Sequence, residues 1–135
     1  MKVMDKTMEA LAASLNLRQM RQELISANIA NAETPGYKSK RIDFEEALSR
    51  ALNVDELQSL KVGDDKHFDV GGGGFDNLKP DIYDDPNGEV KPDGNTVDRD
   101  SEMAKLVENK LMYDAAVKLI NKKLALKKYA ISADR

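Results

Sequence analysis

The closing third of the chain constrains the fold more than any other segment. Met103, Leu106, Tyr113, Val117, Ile120, Leu124 and Ile131 follow a three–four alternation broken by Lys110 and Lys127, and Met112, Leu119 and Leu126 form a second stripe at seven-residue intervals. Three–four alternation gives one buried face of an α-helix, and heptad spacing gives a coiled-coil seam. The spacing predicts a helix from about Asp98 to Ala130, a rod of ~45–50 Å at 1.5 Å per residue. Two seams on one rod require more than one partner helix.

The N-terminal segment repeats the theme. Met4, Met8, Leu11 and Leu15 recur on one face that Ile25 and Ile29 continue, whereas Leu17, Met20 and Leu24 fall on nearly the opposite one. A helix is predicted from about Asp5 to Ala32. Thr34-Pro35-Gly36-Tyr37 ends it, because Pro disfavours helix at the residue before it and Gly suits the positive φ of a type II turn. A short second helix should follow and end near Leu52, with Asp43 as cap, Glu46 in capping-box position and Ile42 stapled onto Ala47. Each buried apolar side chain contributes ~1.5–3 kcal/mol, whereas ordering a residue costs ~1.5 kcal/mol. A lone pair of such helices is therefore marginal and is expected to be completed by assembly.

Between the ends the chemistry changes. Residues 1–52 carry 8 basic and 7 acidic side chains, residues 53–100 carry 5 and 13, and residues 101–135 carry 8 and 4. The acidic middle also holds Gly71–Gly74, Pro80, Pro86 and Pro92, which disfavour helix and regular sheet alike; Asn87-Gly88 and Asp93-Gly94 suit turns. The expected organisation is mainly α and one discontinuous domain. It comprises an N-terminal helical segment (1–52), an acidic, mostly irregular insertion (53–97) and a C-terminal helix (98–135) packed on the first as a coiled-coil layer.

Several chemistries are excluded. The chain has no Cys and a single His, so disulfides, thiolate nucleophiles and Cys-type metal sites are absent, and imidazole chemistry is nearly so. No segment approaches the ~20 apolar residues of a membrane helix, and no direct membrane insertion is expected. Met1-Lys2-Val3-Met4-Asp5-Lys6 lacks the apolar run of a secretory signal, so export would follow another route. Aligning Gly88 with the glycine of a calcium loop puts Tyr83 at the first ligand position and Gly94 where a bidentate Glu belongs. Asp84 and Asp85 are loop neighbours, not a held catalytic pair. Gly71–Gly74 has no following Lys-Ser/Thr and reads as a flexible link, and His67 beside Phe68 as an ordinary loop residue. Lysines 105, 110, 118, 122, 123, 127 and 128 surround a helix poor in aromatics in an acidic protein. They read as a solvated face, not a nucleic-acid site. No catalytic residue, cofactor or metal is expected.

The sharpest local motif is Ser26-Ala27-Asn28-Ile29-Ala30-Asn31-Ala32-Glu33-Thr34-Pro35-Gly36-Tyr37-Lys38. By itself it is an ordinary helix end with a Pro-Gly turn, with Asn28 and Asn31 one turn apart and able to bond loop backbone or a neighbouring subunit. The stretch resembles the Asn-rich N-terminal signature of the bacterial flagellar axial proteins, the family of rod, hook and hook-associated subunits. Arg18-Gln19-Met20-Arg21-Gln22-Glu23-Leu24 before it, Ile42-Asp43-Phe44-Glu45 after it, and Asn95, Val97, Asp98, Glu102-Met103-Ala104-Lys105-Leu106, Glu108-Asn109, Tyr113, Ala115-Ala116, Lys123-Leu124 and Ala130-Ile131 extend the likeness to a rod subunit. Both ends match; the middle does not.

The resemblance implies a structural subunit of the proximal rod of the flagellar basal body. It would be exported through the flagellar type III apparatus without a cleaved signal, span the periplasm in a Gram-negative cell, and assemble with other rod subunits and the adaptor at the membrane ring. The terminal helices would line the export channel and transmit torque. On this reading Leu11, Leu15, Leu24, Ile25 and Ile29 pack on Leu106, Val117, Ile120 and Leu124; Leu17, Met20, Met112, Leu119 and Leu126 face other subunits; and Asn28, Asn31, Thr34, Pro35, Gly36 and Tyr37 set the exit from the inner layer. The helices alone also suit a soluble export chaperone or coiled-coil adaptor, although neither has an evident use for the Pro-Gly turn.

Overall fold

A computed structural model describes residues 6–50 and 80–133. Met4, Asp5, Leu52, Gly71–Gly74 and His67, on which expectations were placed above, lie outside them. The elements in chain order are α1 (Lys6–Ala30), β1 (Lys40–Ile42), α2 (44–50), β2 (Ile82–Asp84) and α3 (Arg99–Ala133). The described residues are mainly helical, with the long helices α1 and α3 joined on either side to short elements, and residues 80–98 hold one three-residue strand in otherwise irregular chain.

α1 stops at Ala30, and the chain passes through Thr34-Pro35-Gly36-Tyr37 as expected: Tyr37 N–H donates to Thr34 O at 3.2 Å, and Gly36 has φ +74°. α2 begins at Asp43, whose Oδ1 accepts from Glu46 N–H at 3.3 Å. The reciprocal half of the capping box is not made, because Asp43 N–H donates instead to Asp81 O at 3.2 Å. The Glu46 carboxyl is held above its ordinary pKa by its hydrogen bond with the Asp43 carboxylate and then by that group's charge. α3 starts behind Asp98, which accepts from Ser101 N–H at 3.3 Å; N-capping by Asp satisfies amides that no helical carbonyl reaches.

β1 and β2 form a two-stranded antiparallel ladder with Lys40 opposite Asp84, Arg41 opposite Tyr83 and Ile42 opposite Ile82. Bonds from Asp85 N–H to Ser39 O (2.8 Å) and from Asp43 N–H to Asp81 O (3.2 Å) extend it at each end. This ladder runs through a segment expected to be irregular, and nothing local announced it. Three residues, all exposed on β2, are too few to show a period of two.

α1 and α3 pack against each other. Asn28 reaches Glu102, and Asn109 reaches Arg18 and Gln22, so the helices run antiparallel. The second apolar face of α1 finds its cover inside the chain. Leu17, expected to face another subunit, is fully buried in a cluster with Ile42, Phe44 and Ala47, and Leu24 and Leu48 pack against that cluster. The reason is the turn at Pro35-Gly36, which brings β1 and α2 back along α1; the Ile42–Ala47 staple belongs to the same cluster. Along α3 the buried residues are Glu102, Asn109 and Ala116, a heptad series two-thirds polar.

Candidate functional site

The end of α1 and the start of α3 are joined by a buried polar clasp. Asn28, in the last turn of α1, is fully buried and uses its whole amide. Its Nδ2 donates to Lys40 O (2.9 Å) and Glu102 Oε2 (3.2 Å), and its Oδ1 accepts from Lys40 N–H (2.9 Å) and Tyr37 Oη–H (3.2 Å). The side-chain amide thus pairs with the Lys40 backbone as a neighbouring strand would, and fixes where β1 leaves α1. Glu102 is also fully buried. Its Oε1 accepts from Arg41 Nη2 (2.5 Å) and Ser39 Oγ (3.2 Å), and Arg41 Nε donates to Asp85 Oδ2 at 3.1 Å. Burial acts to lower the Arg41 pKa, but the hydrogen bond and charge of Glu102, followed by those of Asp85, outweigh it and raise the pKa above its ordinary value.

A second layer closes the turn. Asn95, fully buried, donates from Nδ2 to Asn31 O (2.9 Å) and Thr34 O (2.8 Å), and accepts at Oδ1 from Val97 N–H (2.7 Å). These two turn carbonyls, which already accept from Thr34 N–H and Tyr37 N–H, are thereby tied to the segment that leads into α3. Asn31 bonds back to Ala27 O (2.8 Å) and accepts from Thr34 Oγ1 (3.1 Å). The two positive-φ glycines abut: Gly36 N–H donates to Asp93 O at 2.9 Å, and a Cβ on Gly94 (φ +84°) would stand 3.4 Å from Gly36 Cα. Ser39 N–H donates to Thr96 Oγ1 (2.8 Å), and Thr96 N–H to Tyr37 O (3.0 Å).

Asn28, Asn31, Thr34, Gly36 and Tyr37 therefore converge, and Pro35 lies exposed beside them. The partners on the far side (Ser39, Arg41, Asn95 and Glu102) were not singled out as a site from sequence. The available signal was the acid at 102, seven residues before Asn109 and fourteen before Ala116. Of the residues assigned to helix packing, Ile25 is buried and Leu11, Leu15, Ile29, Leu106, Val117 and Ile120 are half-buried. Leu24 turns to the α2 side, and Leu124 is 37% exposed. Met103 and Ile131, placed by their spacing on the inner stripe, are exposed, as are Met20, Met112, Leu119 and Leu126.

Two long antiparallel helices clasped at one end, with apolar residues exposed along α3, are the fold of a helical assembly subunit. The family model described as "Flagella basal body rod protein" matches residues 8–38. The flagellar basal body rod protein FlgB of Cereibacter sphaeroides is 37% identical over 116 residues, 84% of each chain. That of Proteus mirabilis is 33% identical over 122 residues, 87% of this chain and 88% of its own, and that of Borrelia hermsii 33% over 120 residues, 84% and 86%. The chain belongs to the FlgB family of flagellar basal body rod proteins. It is a structural subunit of the basal-body rod, not an enzyme, and the family implies assembly with other rod subunits. Nothing in these comparisons supports the chaperone or adaptor alternative.

Proposed function

We propose that this subunit belongs to the proximal rod, next to the adaptor at the membrane ring, and that its antiparallel α1–α3 pair forms the layer lining the export channel and carries torque through packed helices. It would reach that position through the flagellar type III apparatus without a cleaved signal, and in a Gram-negative cell would stand within the periplasmic span of the rod. One observation supports the reading above the others: α3 leaves Met112, Leu119 and Leu126 48%, 52% and 59% exposed at heptad spacing along its length, a seam suited to a neighbouring helix. Met20 on α1 is assigned to the same intersubunit surface. Repetition of such contacts without closure generates a helical tube.

Leu119→Asp tests this directly. Detergent-extracted basal bodies should lack the variant, while the purified chain keeps its helicity by circular dichroism. Normal motility in a strain carrying the change would count against the proposal.

A further inference from the structure

Beside the clasp, α1, β1 and α3 enclose a groove of about 340 Å³. Arg18 and Arg21 line it, with their guanidinium carbons 4.7 and 4.9 Å from the Phe44 ring centroid. Among the described residues neither guanidinium has an ion pair or hydrogen bond; their contact is with the ring. Burial first, and then the charge of Arg21, hold Arg18 below its ordinary pKa, and Glu45 and Glu108 offset this in part. Leu24 and Met112 give the groove an apolar floor. Asn109 lines it too; its Nδ2 is spent on Arg18 O and Gln22 Oε1, and its buried Oδ1 has no partner. Asp43, Glu45 and Glu108 also line the groove, yet none of them forms an ion pair with either guanidinium; two arginines held on one ring and left without an ion pair can take a further carboxylate.

The chain carries a surface of matching chemistry. At ~100° per residue, Asp100, Met103, Val107 and Leu111 fall within roughly 80° of one another on α3, and all four are exposed, the last three by 50%, 59% and 65%. This acid-headed apolar stripe lies roughly 150° around α3 from Lys105, Asn109 and Met112 of the groove, at the same height along the helix. One copy can therefore present its stripe to the groove of the next, side by side. A contact of that kind is heterologous, the type from which open helical assemblies are built when the rotation does not close.

We propose that the Arg18–Arg21 groove seats a second copy of this chain through the Asp100–Met103–Val107–Leu111 face of that copy's α3. The proposal rests on the rod-subunit reading and deepens it by naming one contact. The Asp100 carboxylate meets the guanidinium pair, for which planar forks are suited, and Met103 and Val107 cover Leu24 and Met112.

The absence of Cys in the chain makes thiol cross-linking a clean probe. Full-length Met103→Cys and Met112→Cys chains, mixed with a short thiol-specific cross-linker, should give the mixed dimer in excess of either homodimer. Asp100→Arg in the first chain, an exposed site that leaves the fold intact by circular dichroism, should lower the mixed dimer on the order of tenfold, and Arg21→Glu in the second should restore it. No excess of mixed dimer, indifference to Asp100→Arg, or loss without restoration would overturn the proposal; the last would mean that another segment or another rod subunit fills the groove. Detergent-extracted basal bodies separate the two levels. If the subunit is present in them while the mixed dimer is absent, the groove assignment fails alone; if the unmodified chain never enters them, the rod reading fails as well.

Discussion

Asn28 and Glu102 are where single side chains matter most. Each is fully buried, and together they hold Lys40, Ser39 and Arg41 in place. Without the Glu102 carboxylate Arg41 keeps Asp85, but the Ser39 hydroxyl and one Asn28 amide hydrogen lose their buried acceptor. Glu102→Ala should therefore lower the unfolding free energy in urea titration by about 1–3 kcal/mol for each buried donor left unsatisfied. Glu102→Gln, which keeps the shape and some of the hydrogen bonds, should cost less. The glycines divide by mechanism. Gly36 has a positive φ but open space around it, whereas a Cβ on Gly88 would stand 2.9 Å from Thr96 Cβ. Gly36→Ala should cost about 1 kcal/mol, from backbone strain alone. Gly88→Ala should cost more, because the Thr96 Cβ it meets is fixed to the backbone and cannot swing aside, as urea titration of the two variants side by side would show.

At the scale of elements, the two apolar faces of α1 have different fates. Leu17 is covered by α2 and β1, whereas Leu119 on α3 is 52% exposed. Leu17→Ala should destabilise the isolated chain by about 2–5 kcal/mol, the range for emptying a well-packed leucine site. Leu119→Ala should move its melting midpoint little, since exposed positions usually lie within about 0.5 kcal/mol. Both helices were legible from three–four spacing, as were the Pro-Gly turn and the cap at Asp43, because each depends on residues within one turn of one another; the cap at Asp98 was not singled out. The direction of the second face was not. Spacing says that Leu17 and Leu24 share a side, but only the path of the chain after Gly36 says that α2 lies there. The heptad Glu102, Asn109, Ala116 shows the same limit: a seam with an acid in it looks like a solvated face until Arg41, Ser39 and Asn28 are seen around the carboxylate.

For the whole molecule, the described polar contacts gather at one end. The clasp and the ladder lie near the end of α1 and the start of α3, and the cluster around Leu17 stands beside mid-α1, whereas α3 continues past buried Ala116 to Ala133 with Leu126, Tyr129 and Ile131 exposed. Local stability follows such contact density. Amide hydrogen exchange on the purified chain should therefore show strongest protection around residues 25–42 and 95–109 and a decline along α3 toward its end. Uniform protection along α3 would mean that the isolated chain already covers its outer face, and the case for completion by neighbours would be lost.

The amino-acid sequence by itself determined the two rods, the turn between α1 and β1 and the surplus of apolar surface, since helical periodicity and turn chemistry are local. The tertiary structure alone decided which surplus is satisfied within the chain and which is left for others. It also decided the clasp, whose bond from Asn28 to Glu102 joins residues 74 positions apart. A buried amide and carboxylate are stable only when donors and acceptors surround them in three dimensions, and no spacing along the chain encodes that enclosure.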